Sequence, residues 1–333
     1  MLLRQTTLAS ILAFWQERFT RSSYYCFVIL SIFIVLARET CIGLNNWLYG
    51  FQGNYYFSND KYLSLLYLGL ICWGFRLFFD ERNKFRLYVD YIFLLYCTMT
   101  LIALFVDAIQ LTPFTPIDSY LVQFERYLGV DILVFMSWTA EHTWFKQWLV
   151  MAYISLDKQL LVLPLLMIVA GQFKRLMTFF CLLLISTLIG FSVYYFLPTT
   201  APASILTSTL FTPEQYATGI KFREIHQHLL PSTIEGGLIS MPSFHVIWAW
   251  LCLYLIYPWP IARYLLIINN SVLALSCVLL GWHYVLDIIG SVLVIILSHI
   301  IYQKYMAYRL TNITNFNSLN IPIKAILSKF KQT

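Results

Sequence analysis

Two short segments carry the side chains best suited to chemistry. One is Ser240-Met241-Pro242-Ser243-Phe244-His245, and the other is Gly281-Trp282-His283-Tyr284-Val285-Leu286-Asp287. Each opens a long apolar run and sets a histidine in its first turn. Ionisable side chains at membrane depth are costly and mark functional sites by default. His283 and Asp287 are four residues apart, so on a helix they share a face. A carboxylate there accepts the proton of one ring nitrogen, fixes the tautomer and leaves the other nitrogen as a lone-pair nucleophile. Ser240, Met241 and Pro242 read as a helix start, with proline in the first turn. The free amides of that start, with the Ser243 hydroxyl, form an expected anion site. An anion site, an oriented imidazole and a second imidazole, His245, are the parts phosphoryl transfer needs.

Each part has a plainer reading. A lone membrane histidine is more often an interhelix polar contact, and His-x-x-x-Asp or Pro-Ser at a helix start occurs by chance. Their conjunction on one face favours a reaction centre at a membrane surface. Metal binding by His245, His283 and Asp287 lacks a further strong ligand at metal-site spacing. His226 and His228 are the only spare candidates, so no metal and no other cofactor is expected.

The elements that must position these residues are membrane helices. The chain has 333 residues, 59% hydrophobic and 11% charged, against about 25% charged in soluble domains. Its apolar runs have the length that crosses a bilayer, and they are continuous rather than alternating, which argues against a β-barrel. The expected fold is all-α, a polytopic transmembrane helical bundle of about eight spans. The spans lie near 24–44, 61–79, 88–110, 146–170, 176–197, 242–257, 262–280 and 284–303.

Residues 1–87 are expected to hold an interfacial helix and two extra spans. Leu8, Ile11, Leu12, Trp15 and Phe19 form the apolar stripe of that helix. Residues 88–303 form the six-span core, and 304–333 a basic tail with Ile323, Ile326, Leu327 and Phe330 on one face. No cleavable signal peptide is read at the start of the chain. The seven cysteines form no Cys-x-x-Cys pair, so neither a disulfide framework nor a zinc site is expected. The net charge of +6 lies mostly in loops and tail, and does not argue for nucleic acid.

Lys and Arg set the orientation. Arg82, Lys84, Arg86, Lys174, Arg175, Arg263 and the tail lysines fall on one side of an eight-span chain. That side is expected to be cytoplasmic and to hold both termini. The connections 111–145 and 198–241 then lie on the periplasmic or lumenal side. In the first, Tyr120, Leu121, Phe124, Tyr127 and Leu128 form a helical stripe suited to lying on the membrane. The spans from 242 and 284 both begin on this outer side, so His245 and His283 meet at similar depth. Asp157-Lys158, near the middle of the fourth span, is expected to be a buried structural pair.

Pro242-Ser243-x-His245 followed by His283-x-x-x-Asp287 resembles the type 2 phosphatidic acid phosphatase superfamily. Ser243-Phe244-His245-Val246, Trp282-His283-Tyr284-x-x-Asp287 and the turn Phe196-Leu197-Pro198-Thr199-Thr200-Ala201-Pro202 are more similar to its inositol phosphorylceramide synthase-like branch. The resemblance covers about residues 90–303 and implies that the last six spans form a six-span phosphatase-like core, with the first two as an addition. It implies that His283 attacks phosphorus and forms a phosphohistidine, that Asp287 orients it, and that His245 protonates the leaving oxygen. Ser243 and nearby amides, including those around Ser240, would hold phosphate oxygens. The phosphatase branch has an arginine six residues before the nucleophile, where this chain has Cys277, and its lysine-to-Arg-Pro motif is not recognisable here. The outer-loop cations Lys221 and Arg223 are the nearest substitutes, and Arg223 is the one expected to grip the phosphate, since its planar fork meets two oxygens at once.

The partners implied are a membrane lipid phosphate and a polyol or lipid alcohol as acceptor, or water. The rival reading is a lipid-binding or lipid-moving protein that keeps the fold without chemistry, against which His245, His283 and Asp287 speak. An ordinary transporter would show related halves, and none match here.

Overall fold

The computed structural model describes residues 2–51, 60–80, 83–233 and 235–330, with side chains for 21–51, 63–80, 83–233, 235–309 and 311. Its helices are α1 (Leu2–Tyr49), α2 (Asp60–Phe78), α3 (Lys84–Ile109), α4 (Asp118–Tyr127), α5 (Ile132–Glu141), α6 (Thr143–Val169), α7 (Phe173–Phe196), α8 (Pro213–His226), α9 (Phe244–Leu255), α10 (Pro260–Leu279) and α11 (Val285–Phe330). A 3₁₀ turn covers Pro202–Ser204, and no strand occurs among the described residues. The fold is the expected all-α bundle.

Six helices are long and apolar enough to cross a membrane: Arg21–Tyr49, Lys84–Ile109, Thr143–Val169, Phe173–Phe196, Pro260–Leu279 and Val285–Arg309. The other two expected spans are shorter. The apolar part of α2 is Leu63–Phe78, and α9 has 12 residues. Twelve residues rise only about 18 Å, against a hydrocarbon core of about 30 Å. Residues 2–49 form one unbroken helix, so the segment expected to lie apart in the interface continues into the first span. The apolar stripes expected at 1–22 and at 323–330 concern side chains outside the described residues.

α7 is the axis of the bundle. Phe179, Phe180, Cys181, Leu182, Leu183 and Leu184 are all fully buried along it, and α1, α3, α9 and α11 pack around it. Apolar residues on every side of a helix require neighbours on every side. Gly190 lets α7 approach the site segment, because a Cβ there would lie 2.6 Å from the Phe244 ring. α6, α9 and α10 form a second packed group. Outward faces are apolar: Ile32, Phe33 and Leu36 on α1, Leu66, Leu70 and Trp73 on α2, and Leu293, Ile296 and Leu297 on α11 are exposed. Lipid tails, which are as apolar as these side chains, are the environment they fit.

Several buried polar groups inside the bundle pair with one another, the economical arrangement where water is absent. The Tyr302 hydroxyl lies 3.0 Å from the hydroxyls of Ser23 and Thr178. Gln159 donates to Asn270 Oδ1 at 2.9 Å, and Asn270 donates to the Ala249 carbonyl at 2.8 Å. Asp157 and Lys158 do not form the buried pair expected of them, for both are exposed. Ala152, Leu156 and Gln159, at helical spacing, are the residues that face inward on this stretch of α6.

Candidate active site

The turn between α10 and α11 sets the position of His283. The amides of Trp282 and His283 both donate to the Cys277 carbonyl, at 3.1 and 2.9 Å. Gly281 has φ +78°, and a Cβ there would run into Met136 and Phe211. Only glycine meets both demands at low cost. His283 therefore sits in the turn, two residues before α11 begins, rather than in the first turn of the helix. Asp287 is the third residue of α11, and its Oδ2 accepts from the Tyr284 amide at 3.0 Å, an end-capping contact.

The His283 ring is held by two acceptors on one nitrogen. Nδ1 lies 2.9 Å from the Ser240 carbonyl and 3.2 Å from Asp287 Oδ2. A carbonyl oxygen can only accept, so Nδ1 carries the hydrogen. In the neutral ring Nε2 then keeps its lone pair. Ser240 closes the group by donating from Oγ to Asp287 Oδ2 at 2.7 Å. His283 is buried, at 4% exposure, and Asp287 fully so.

His283, His245, Ser240, Tyr153, Trp248 and Trp282 line a cavity of about 260 Å³, walled on another side by Gly236–Ile239. The two histidine rings lie 6.0 Å apart, centre to centre, so the expected meeting of the two motifs is present. The His245 ring stacks on Tyr153 at 4.1 Å and 15°, and Tyr153 stacks in turn on Trp282 at 5.3 Å. The stack fixes the plane of His245 from α6.

Other expected residues fall elsewhere. α9 begins at Phe244, not in the Ser240–Pro242 segment, and the Met241–Pro242 peptide is cis. Ser243 precedes the helix, and its fully buried hydroxyl donates to Cys277 Sγ at 3.8 Å, away from the cavity. Arg223 is exposed on α8 and is not among the cavity-lining residues. Lys221 is buried, with Nζ 3.3 Å from the carbonyl of the cavity-lining Gly236. Burial pulls its ammonium down to about 8. Among the described residues, no three His, Cys, Asp or Glu side chains come together as a metal-ligand set.

A layer behind the histidine comes from α4. Asp118 is fully buried and accepts from the Thr200 amide at 3.0 and 2.8 Å, the Thr200 hydroxyl at 3.1 Å and the Tyr284 hydroxyl at 3.1 Å. Burial pushes the Asp118 carboxyl up to about 6, against the pull of those Thr200 and Tyr284 donors. Glu125 accepts from the Leu286 amide at 2.9 Å, and burial raises it too. Thr199 accepts from the Met241 amide at 2.7 Å. The connections 111–145 and 198–241 thus hold both histidine segments by their backbones and flanking side chains.

Asp118→Asn is expected to lower stability by about 2 kcal/mol, since an amide offers one acceptor oxygen to donors that now share two. It should cut kcat about tenfold through the Tyr284 side of His283, an effect of misplacement, while KM holds. Steady-state kinetics with a thermal melt check this; an unchanged kcat would make Asp118 a stability residue alone.

An all-α membrane bundle with two histidines at a cavity, one of them backed by a buried carboxylate, is the class that fold and site define. The chain belongs to the PAP2 superfamily, whose family model matches residues 119–301, more than half of it. Comparison with curated proteins and with solved structures finds no match. Members of the superfamily are generally phosphatases or phosphotransferases. Membership therefore supports a phosphatase-type action on lipid phosphates.

Proposed function

We propose that the protein is a lipid phosphatase or phosphotransferase of the inositol phosphorylceramide synthase-like kind. It works through a phosphohistidine on His283, without metal, at the non-cytoplasmic surface. The observation that carries this reading is His283 Nδ1 held between the Ser240 carbonyl and Asp287 Oδ2, with His245 across the same cavity.

In this reading the Nε2 lone pair attacks phosphorus. The bond from phosphorus to the leaving oxygen breaks, and that oxygen takes a proton from the His245 imidazolium. An entering phosphate carries the negative charge that favours the protonated ring. In the second step water or an alcohol attacks phosphorus and gives its proton to His245, the P–N bond breaks, and His283 is regenerated. Water yields inorganic phosphate; a polyol or lipid hydroxyl yields its phosphate monoester. Asp287 supports the positive charge on the His283 ring in the intermediate.

Incubating the purified protein with a panel of lipid phosphates, with and without polyol acceptors, tests the reading by mass spectrometry of the products. Turnover that survives strong chelation is expected. No product from any lipid phosphate would favour a lipid-binding protein, and loss on chelation with recovery by one divalent ion would favour metal chemistry.

Lys221 is the cation best placed to meet substrate phosphate in place of the arginine that Cys277 replaces. Its ammonium is charged below about pH 8 and neutral above it, so KM should rise as pH passes 8. Lys221→Arg should remove that rise, and Lys221→Ala should raise KM at every pH. A wild-type KM for Lys221→Ala with a clear defect in Arg223→Ala would move the phosphate grip to Arg223.

Sidedness follows from the Lys and Arg bias. Single cysteines in place of Ser208 and Ser318, in a background without native cysteines, should label from opposite sides of intact cells, position 208 by an impermeant reagent. Labelling of 318 alone would invert the orientation.

A further inference from the structure

At the opposite end of the bundle α10 and α11 diverge from the Gly281 turn, and α9 floors the space between them. The space is a groove of about 950 Å³, open outward and lined by Val246, Ala249, Trp250 and Leu253 of α9, Ile267 and Ala274 of α10, and Val292 and Ile295 of α11. This lies within the range of about 300–1,000 Å³ typical of small-ligand pockets. Its walls are apolar along most of their length. Its far end is not, for Arg175 and Arg263 line it there beside Tyr254 and Tyr257.

The two arginines are held but not neutralised. Arg175 donates to the Tyr254 carbonyl at 2.7 Å and lies 5.4 Å from the Tyr254 ring centre. Arg263 donates to the Tyr257 carbonyl at 3.4 Å and lies 4.5 Å over the Tyr257 ring. Neither has a carboxylate partner among the described residues. A guanidinium has five N–H donors, so each keeps several to offer. The tyrosine rings and carbonyls hold each guanidinium at the groove end, where its planar fork suits it to phosphate oxygens. From Arg263 to the end of α10 the helix rises about 24 Å toward the His283 turn. The arginine end therefore lies at the membrane face opposite the histidines.

We propose that this groove binds an anionic phospholipid from the leaflet opposite the histidines. The headgroup phosphate sits between Arg175 and Arg263, and an acyl chain runs past Tyr257, Leu253 and Trp250 toward Val246. A basic pocket between membrane helices, continuous with an apolar groove, fits an amphiphile with an anionic head. A free anion leaves the apolar walls unmatched, and an uncharged lipid leaves two partly buried cations unmatched. The site is separate from the histidine cavity and does not depend on the proposed reaction.

The test is native mass spectrometry of the full chain in detergent, titrated with phosphatidylglycerol or phosphatidylcholine, the His283→Ala variant serving as a non-reacting host. One phosphatidylglycerol per chain should be retained in preference to phosphatidylcholine. Arg175→Gln with Arg263→Gln should weaken it roughly 10- to 30-fold, the scale of two basic side chains at a membrane surface. Ser271→Trp fills the groove from an exposed position on α10 and leaves both arginines intact; it should release the same lipid. A photoactivatable acyl chain should cross-link to the α9 and α10 peptides carrying Trp250 and Ser271. Equal retention of the two lipids, displacement by inorganic phosphate alone, unchanged retention in both variants, or cross-links confined to residues 236–245 would each overturn the proposal. So would cross-linking of the groove to a second copy of the chain.

Discussion

His283→Ala is expected to reduce turnover of any lipid-phosphate substrate by at least about 10⁴-fold, the scale at which losing a nucleophile removes the covalent route. Folding should hold, because the ring's hydrogen bonds to Ser240 and Asp287 are both made at Nδ1 and the backbone turn around it is unchanged. Substrate binding should change little, since the cavity wall from Gly236 to Ser240, Trp248 and Tyr153 stays in place. Near-normal turnover in His283→Ala, with the same products, would remove His283 from the chemistry.

Asp287→Asn carries the second largest expected effect, about 10³- to 10⁴-fold in kcat, the scale of loss when a catalytic histidine is deprived of its carboxylate. Three donors converge on Asp287 Oδ2: Ser240 Oγ at 2.7 Å, the Tyr284 amide at 3.0 Å and His283 Nδ1 at 3.2 Å. An asparagine can present its oxygen to them only by turning its amide N–H groups toward the buried Oδ1 position, which has no partner in this structure. If it turns the other way, its N–H opposes theirs and Nδ1 loses an acceptor. Either way the charge that supports a cationic ring is gone. A kcat loss with KM nearly unchanged is expected; a loss confined to KM would assign Asp287 to substrate binding instead.

The two histidine motifs are legible in sequence because each opens an apolar run, and an even number of intervening crossings returns the chain to the same face. The rings do meet, 6.0 Å apart. The contact of Asp287 with His283 is legible from spacing, but not its form, since His283 lies in a turn rather than on a helix face. Ser243 looks like a phosphate ligand because it follows a proline at an apparent helix start. The helix begins at Phe244 instead, and the Ser243 hydroxyl turns to Cys277, a neighbour set by the packing of α9 on α10.

Lys221 and Arg223 are two residues apart on α8, about 200° around the helix. One of them had to face inward, and only the docking of α8 decides that it is Lys221. Asp118 and Glu125 lie on the face of α4 opposite the aromatic stripe Tyr120, Phe124 and Tyr127, together with Leu121 and Val122. Their spacing of seven is a faint signal of a shared face. Their partners Thr200, Tyr284 and Leu286 are far along the chain, so the layer behind His283 emerges only from tertiary contact. The eight apolar runs are visible in composition, whereas the shortness of α9 depends on where its turns form.

Rapid-quench of the protein with a lipid phosphate labelled at phosphorus, followed by digestion and mass spectrometry, tests the central claim most directly. A phosphoryl group, acid-labile and base-stable, is expected on the peptide containing His283, formed within one turnover and cleared by water or an alcohol acceptor. It should be absent from His283→Ala and should accumulate in His245→Ala if the second step is slowed more than the first. Turnover with no labelled protein at any quench time, or label carried by a different residue, would contradict it.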